Sequence, residues 1–348
     1  MNITLITTTI YNPVVLELYR QMGPDVRFVI AGDKKTPHDQ VRELCESLGN
    51  AVYLSPDDQD ALSYESLAIT PWNCIMRRNI ALLEAIRGGA DVVVTIDDDN
   101  IPVKPRCYFP WFEQLLSTSY TGLLAGGATT ITQQHGPQSW FNIGDFVDPP
   151  IAHRGFPSYE LPWGNEMAGV TDARIGVVAG LWYGDPDINA AERLVRGPEV
   201  LGWSPVVNNG LAVGLGTWAP FNSQNTAYLG SLAPLMAVLP FVGRYDDIWA
   251  SYIAERIMWE QGYHVCYGPP FTWQERNEQS VMRNLTDEVY GMEHTLQFCL
   301  WLGELELGDG SPGEQLGRVW DAAQALDWLP QRLRDFGMAW VRDLERVL

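Results

Sequence analysis

Two hydrophobic patterns alternate along the first hundred residues, and they predict alternating strands and helices. Short β-branched runs are typical of buried strands, and longer segments with apolar residues every three or four positions are typical of helices. Their order is typical of a doubly wound, mostly parallel sheet flanked by helices, which is an α/β fold. The predicted strands are residues 2–10, 26–31, 51–54 and 91–96, and the predicted helices are residues 12–22, 37–48 and 69–87.

The pattern loosens over residues 101–225, which are rich in Gly, Pro and Trp and predict long loops that wall a functional site. We assign residues 1–300 to a catalytic domain and residues 301–348 to a C-terminal helical extension. The extension packs on this body or against another subunit, so a homo-oligomer stays open. Helical spacing returns in three later segments, residues 227–239, 245–262 and 312–348.

The acidic composition narrows the choice of partners. The 348 residues carry a formal net charge of −20, which argues against nucleic acid or an anionic membrane. The longest uncharged run, residues 225–243, contains two prolines and predicts buried core, not a membrane span. Five cysteines without Cys-x-x-Cys spacing predict reduced thiols, and the N-terminus lacks the basic region of a signal peptide, so we expect a cytoplasmic protein.

Three aspartates, Asp97, Asp98 and Asp99, follow the fourth predicted strand directly. Ligands of parallel sheets bind outside the carboxyl ends of the strands, and adjacent carboxylates repel one another unless a cation is shared between them. Alternate residues of an extended chain point the same way, so Asp97 and Asp99 are predicted to face one Mn²⁺ or Mg²⁺ ion that also binds substrate phosphates. The alternative is a solvated acidic turn.

Three further candidates come from the ends of elements and from one loop. Asp33 ends the second strand, where it binds a base or ribose or is a plain turn residue. Arg78 precedes the aspartate-bearing strand, and its guanidinium suits a diphosphate. Arg154 stands before a glycine in a loop, where it approaches a diphosphate or pairs with a surface acid. Because we place Arg154 outside the core, we expect its loss to cost turnover more than folding.

Acids also mark two later segments. Trp182 stacks on a ring or fills the core, and Asp187 lies at the end of the same predicted strand. Asp246 and Asp247 open the predicted helix 245–262, where the helix dipole favours acids in any protein, or they act as a general base or sugar-hydroxyl acceptor. The chain lacks the glycine signatures of nicotinamide-binding and P-loop proteins, so neither class is expected.

Five blocks of sequence stand out in order: TIDDDN, HRGFP, GLWYGDPDINAAERL, GRYDDIWASY, and PFTWQERN followed by NLTDEVYG. Together they resemble the reversibly glycosylated polypeptides, the family that includes plant UDP-arabinopyranose mutases. The resemblance runs from the first strand to about residue 291. It implies a GT-A-like fold and an enzyme that acts on a nucleotide sugar.

The resemblance implies a mutase that interconverts the pyranose and furanose forms of a UDP-arabinose-like sugar, dependent on Mn²⁺ or Mg²⁺. The alternatives are a GT-A glycosyltransferase with a separate small acceptor and a non-catalytic sugar-nucleotide-binding or assembly subunit. The family has an arginine where this chain has Leu161, which favours the transferase. It has a histidine where this chain has Gln274, which favours the non-catalytic subunit.

The family's site residues carry over onto matching positions of this chain. Asp97 and Asp99 correspond to the metal ligands of the DXD motif, and Arg154 to the arginine that becomes reversibly glycosylated. Asp246 and Asp247 are implied to join Arg154 in catalysis. Substrate binding is assigned to Asp33, Arg78, Asp98, Trp182, Asp187 and Asn225.

Overall fold

The computed structural model describes residues 1–103, 108–132, 136–158, 165–196, 199–275 and 280–348. Within these ranges twelve strands form one sheet, in the order β10-β7-β6-β9-β12-β8-β11-β4-β1-β2-β3, with β5 added beside β12. The strands are β1 (Ile3–Thr9), β2 (Arg27–Gly32), β3 (Ala51–Leu54), β4 (Val92–Ile96), β5 (Asn100–Pro102), β6 (Tyr120–Thr132), β7 (Gly136–Trp140), β8 (Asn165–Gly184), β9 (Leu211–Val213), β10 (Thr217–Trp218), β11 (Asn225–Leu229) and β12 (Tyr263–Gln274).

Helices cover both faces of this sheet and bury its apolar side chains in two large hydrophobic clusters. The described helices are α1 (Leu16–Met22), α2 (His38–Leu48), α3 (Pro56–Leu62), α4 (Glu65–Ile69), α5 (Arg78–Arg87), α6 (Tyr108–Ser117), α7 (Ala190–Arg196), α8 (Asp246–Glu260), α9 (Val281–Glu304), α10 (Pro312–Ala323) and α11 (Gln331–Val347).

The first four strands pair in parallel, in the order β3-β2-β1-β4. Strand β4 is buried at every position, as its β-branched run predicts. The next strand, β11, runs antiparallel to both β4 and β8, and β12 is parallel to β8. Strands β4, β8 and β12 therefore end at the same edge of the sheet, where β11 begins. The expected α/β fold, a doubly wound sheet flanked by helices, is confirmed.

The helix predicted over residues 227–239 is wrong. This segment forms β11, in which Ala227 pairs with Val94 of β4, followed by a 3₁₀ turn over Gly230–Leu235. A short buried apolar run fits a strand or a helix equally well, and only its partners decide between them. Gly230 marks the change, because a Cβ atom there would lie 1.8 Å from the carbonyl oxygen of Ala90.

The helix predicted over residues 69–87 is shorter than expected, because regular α-helix starts only at Arg78. Pro71 interrupts the segment, and Thr70 before it is extended, as is usual for a residue that precedes proline. The interruption leaves a loop over residues 71–74, in which Cys74 donates its backbone N–H to Asp33 after β2 at 3.1 Å. The structure also contains α9, which the hydrophobic pattern does not predict.

The C-terminal helices pack on the body of the protein, one of the two arrangements expected for them. Trp340 of α11 is buried and donates its indole N–H to the carbonyl of Pro234 at 2.9 Å. The division at residue 300 falls inside α9, and the domain assignment stays a prediction. No helix in the described ranges is both long and apolar enough to cross a membrane.

We predict that Asp343→Ala destabilises the protein. Asp343 is fully buried on α11, and its carboxylate accepts the backbone N–H groups of Glu65 and Ser66 at the start of α4, at 2.9 and 2.8 Å. Loss of the acceptor leaves these donors unsatisfied at a cost of about 1–3 kcal/mol. Asp335→Ala, an exposed position on the same helix, is the matched control. Equal urea-unfolding midpoints for the two variants would contradict this account.

Candidate functional site

A cavity of about 210 Å³ opens at the sheet edge where β4, β8 and β12 end. Acidic side chains dominate its wall, and two arginines, two amides and one hydroxyl accompany them. The wall consists of Asp97, Asp99, Asp187, Asp246 and Asp247, with Arg154, Arg244, Ser223, Gln224 and Gln274 and the apolar Ile75 and Val238. Five carboxylates and two guanidinium groups therefore share one small volume.

The three consecutive aspartates divide as predicted, with Asp97 and Asp99 on the cavity wall and Asp98 away from it. The backbone there is a turn, not an extended strand, because the N–H of Asn100 bonds to the carbonyl of Asp97 at 3.2 Å. Asp98 accepts the hydroxyl proton of Thr9, and burial raises the pKa of its carboxyl group. Asp98 thus closes the turn from behind while its neighbours face the cavity.

Arg154 is the centre of the acidic cluster. Its Nε and one terminal nitrogen donate to the two carboxylate oxygens of Asp187 at 2.8 and 3.2 Å. Its other terminal nitrogen lies 3.0 Å from Asp247 and 4.0 Å from Asp246, and it also donates to the carbonyl of Arg244. Arg154 is only 7% exposed. The expectation that this loop arginine lies outside the core is therefore wrong, since its acidic partners draw it inside.

Burial and the charges of neighbouring side chains shift the pKa values of Arg154, Asp246 and Asp247 in different directions. Burial alone would lower the pKa of Arg154, but Asp187 and Asp247 outweigh it and hold that pKa well above its usual range. Burial would raise the pKa of Asp247, but Arg154 lowers it below its usual value. Burial and the adjacent Asp247 carboxylate raise the pKa of Asp246 to about 7. Near neutral pH, Arg154 and Asp247 are therefore charged, while Asp246 takes up and releases a proton.

A chain of side-chain amides joins Asp99 to Asp187. Gln274 donates to Asp99 at 3.1 Å and accepts from Gln224. Asn222 donates to Gln224 at 3.3 Å and to Asp187 at 2.7 Å. All three amides are at least 94% buried, so their positions are fixed by these bonds. These two carboxylates of the cavity wall are therefore held in one network.

Arg78 supports the site from behind and does not line the cavity. It is 2% exposed, donates to the carbonyl and hydroxyl of Ser223 at 2.8 and 2.9 Å, and donates to Asp97. Because Arg78 begins α5 and Ser223 precedes β11, these bonds fix the loop before β11 against the aspartate turn. Ser223 in turn donates to Asp247 from its backbone N–H at 2.9 Å.

Asp33 is buried away from the cavity wall. Its carboxylate accepts the backbone N–H groups of Lys34 at 2.6 Å and Cys74 at 3.1 Å. This arrangement is that of the plain turn residue considered as the alternative. It ties the end of β2 to the loop that precedes α5, next to Ile75 of the cavity wall.

Trp182 and Asn225 also lie outside the cavity wall. Trp182 is 3% exposed and packs edge-on against His153 and Trp203, which is the core position named as its alternative. Asn225 accepts from the hydroxyl of Tyr108 at 2.7 Å inside the sheet. Their substrate-binding roles stay predictions.

The cavity also contains residues that the sequence did not single out, namely Ser223, Gln224 and Arg244. Ser223 and Gln224 stand in a loop without a recognisable chemical pattern, and nothing in their spacing could have identified them. Arg244 lies inside the GRYDD block, whose order of residues was the available signal. Leu161, the departure noted in the sequence, lies outside the described residues.

The Mn²⁺ or Mg²⁺ ion implied by the resemblance fits the donor set present. Among the described residues no three His, Cys, Asp or Glu side chains are arranged to hold a metal ion by themselves. Two carboxylates suffice when a diphosphate and water supply the remaining oxygens, which is the usual coordination of Mg²⁺. Asp97 and Asp99 both line the cavity and offer this pair.

We predict that Arg154→Met lowers the unfolding free energy by about 3–5 kcal/mol, because two buried carboxylates lose their counter-charge. The loss should be smaller at acid pH, since the unpaired carboxylates then bind protons and the variant's stability falls as pH rises. Arg342→Met, which breaks an exposed ion pair with Glu65, is the control and should change stability by less than about 1 kcal/mol. Denaturant titrations at two pH values measure both. A loss no larger than that of the control would contradict the prediction.

No protein-family model matches the chain. The curated proteins similar to it include two from Arabidopsis thaliana. The probable glycosyltransferase STELLO1 of Arabidopsis thaliana is 23% identical over 336 residues, which cover 91% of this chain and 41% of that protein. UDP-arabinopyranose mutase 3 of Arabidopsis thaliana is 30% identical over 119 residues, which cover 32% of each chain. The chain thus spans less than half the length of either relative.

A solved structure of a Bacillus anthracis protein, assigned as a glucose-1-phosphate thymidylyltransferase in complex with a sucrose, aligns with 89% of this chain and 98% of its own. The TM-score is 0.34 and the identity is 11%, so this alignment is too weak to indicate a shared fold or function. The curated relatives are the informative ones. They confirm, at low identity, the resemblance to the UDP-arabinopyranose mutases and related nucleotide-sugar enzymes that the sequence blocks indicated.

Proposed function

We propose that the protein is a UDP-sugar mutase that interconverts the pyranose and furanose forms of a UDP-arabinose-like sugar with a divalent metal ion. The observation that carries the proposal is the cavity that Asp97 and Asp99 line together with the cluster of Arg154, Asp246 and Asp247. Asp97 and Asp99 offer carboxylates for a metal-bound diphosphate. Asp246 offers a carboxyl group with a pKa near neutrality in the same cavity.

In this proposal, the turn that carries Asp97 and Asp99 binds the diphosphate through the metal ion. Arg78 and Gln274 hold Asp97 and Asp99 in place through one hydrogen bond each. When bound there, a Mn²⁺ or Mg²⁺ ion supplies Lewis-acid stabilisation of the charge that develops on the diphosphate as the sugar–oxygen bond breaks. The residues of the turn are preorganised for this work, so no rearrangement opposes the reaction.

The isomerisation needs one proton to be taken from the hydroxyl that bonds to the anomeric carbon and closes the new ring, and given to the former ring oxygen, whose bond to that carbon breaks. The diphosphate oxygen then re-forms its bond to the anomeric carbon. A carboxyl group with a pKa of about 7 can take and give this proton near neutral pH, and Asp246 is such a group. Asp247 stays ionised beside Arg154 and stabilises positive charge at the anomeric carbon. No proton is gained or lost in the complete cycle.

Arg154 serves as a positioning residue in this proposal. A guanidinium whose pKa is held well above its usual range is a poor nucleophile, because it keeps its proton. Its hydrogen bonds to Asp187 and its ion pair with Asp247 instead fix those acids relative to the sugar. Covalent attachment of the sugar to Arg154 is therefore not required.

A second candidate is a glycosyltransferase that passes the sugar to a separate acceptor. The observation that favours it is the similarity to STELLO1, which extends over 91% of the chain, whereas the similarity to the mutase covers 32%. Asp246 would then remove the proton of the acceptor hydroxyl. The same cavity serves either reaction, so the product decides between them.

A cytoplasmic location is part of the proposal. All four cysteines in the described part of the chain, Cys45, Cys74, Cys266 and Cys299, are free thiols. Free buried thiols are usual in a reducing compartment, where disulfides are rare.

Incubation with UDP-arabinopyranose and Mn²⁺, followed by chromatography of the nucleotide sugars, tests the proposal. The expected result is UDP-arabinofuranose, with no product when a chelator replaces the metal. Release of UDP only after an acceptor is added would instead establish the transferase. Tight UDP binding without turnover would show a non-catalytic binding subunit and overturn both enzymatic candidates.

We predict that Asp246 governs the pH dependence of turnover. Proton removal requires its ionised form, so kcat should rise as pH increases through about 7 and then level off. Asp246→Asn should lower kcat by about 10²- to 10⁴-fold and remove this inflection. Rates measured across the neutral range for both proteins provide the test. An unchanged inflection in the variant would exclude Asp246 as the titrating group.

A further inference from the structure

We propose that Arg244 binds the diphosphate of the substrate and that Glu288 positions it for this role. The inference rests on the proposed function, which supplies a diphosphate as the ligand. It assigns the anion-binding contact to a residue that the sequence did not single out. Three arginines, Arg78, Arg154 and Arg244, lie in or around the cavity and differ in whether their donors are available to a ligand.

Two of these arginines are held by protein acceptors. Arg154 uses its nitrogens on Asp187, Asp247 and the carbonyl of Arg244. Arg78 is 2% exposed, bonds through its terminal nitrogens to Ser223 and Asp97, and lies outside the cavity wall. Turning Arg154 toward a phosphate would leave the buried carboxylate of Asp187 unpaired, which is costly, and turning Arg78 would break its bonds to Ser223 and Asp97.

Arg244 differs from both. It lines the cavity, and its side chain is 26% exposed. Its Nε donates to Glu288 at 3.0 Å, and its two terminal nitrogens make no hydrogen bond to any described residue. A guanidinium held by Nε presents both terminal nitrogens side by side, the geometry that suits two phosphate oxygens. Arg244 is thus the cavity arginine whose donors remain available among the described residues.

Glu288 is built into the fold as the support of Arg244. It is 1% exposed on α9, and while one carboxylate oxygen holds Arg244, the other accepts the N–H of Ala190 at the start of α7 at 2.6 Å. Gly243, with φ +60°, lets the backbone of α9 approach this turn, because a Cβ there would lie 1.8 Å from the carbonyl oxygen of Asp287. The carboxylate therefore has a fixed position from which it can orient the guanidinium.

The negative charge of the cavity wall explains why a diphosphate bound there needs a contact with Arg244. The wall carries five carboxylates, and the charge of Arg154 is already balanced by Asp187 and Asp247. A diphosphate entering such a site is repelled unless cations meet it. Asp97 and Asp99 would hold a metal ion that supplies one such positive charge, and Arg244 supplies another from the same cavity wall.

Binding calorimetry with UDP, pyrophosphate and uridine in the presence of Mn²⁺ tests the proposal. Arg244→Ala should weaken UDP and pyrophosphate binding by about tenfold or more, and Arg244→Lys should weaken it less, because a charge-assisted hydrogen-bond pair is lost or only partly replaced. Uridine, which lacks phosphate, should bind both variants as it binds the wild type. Arg42→Ala removes an equal charge from an exposed site and serves as the control.

Glu288→Gln should weaken UDP binding in the same direction while leaving uridine binding unchanged, which separates positioning from a general loss of structure. If Arg244→Ala bound UDP as tightly as the wild type does, the inference would be overturned and the proposed function would still stand. Equal losses for UDP and uridine would also overturn it. A wild-type protein that binds neither UDP nor pyrophosphate would overturn both.

Discussion

The buried guanidinium of Arg154 is the constraint on which the site depends. Moving this cation out of water is costly and is tolerated only because Asp187 and Asp247 pair with it and a carbonyl accepts a further bond. The guanidinium is planar, with its donors in a fixed fork. It therefore sets the spacing between the segment after β8 and the start of α8, which carry the two acids. These segments are far apart in the sequence, and Arg154 contacts both of them directly.

The excess of negative charge in the cavity determines what the site can bind. Part of it is removed by protonation, because burial raises the pKa of Asp246 to about 7. The remainder favours a ligand that brings a cation with it. A nucleoside diphosphate complexed with a divalent ion has this property, whereas a bare anion does not. The charge that argues against nucleic acid for the whole chain thus also favours the metal-bound diphosphate that we propose as the ligand of the site.

The sequence predicts those parts of the structure that depend on local pattern. The four parallel strands and the acids at the end of β4 follow from β-branched runs and from the direction of parallel strands. The segment 227–239 could not be assigned, because its strand is defined by pairing with β4 and β8. The burial of Arg154 could not be predicted from local pattern either, because its partners Asp187 and Asp247 are 33 and 93 positions away in the sequence.

The amide chain between Asp99 and Asp187 shows how the two sides of the cavity depend on each other. Asn222 donates at both ends, to Gln224 and to Asp187, so the direction of every bond from there to Asp99 is fixed. Such a chain is satisfied only when both terminal carboxylates accept a hydrogen bond. The carboxylate of Asp187 also accepts from Arg154, and Asp99 lines the cavity beside Asp97. The aspartate turn and the arginine cluster are therefore held in place by one set of hydrogen bonds.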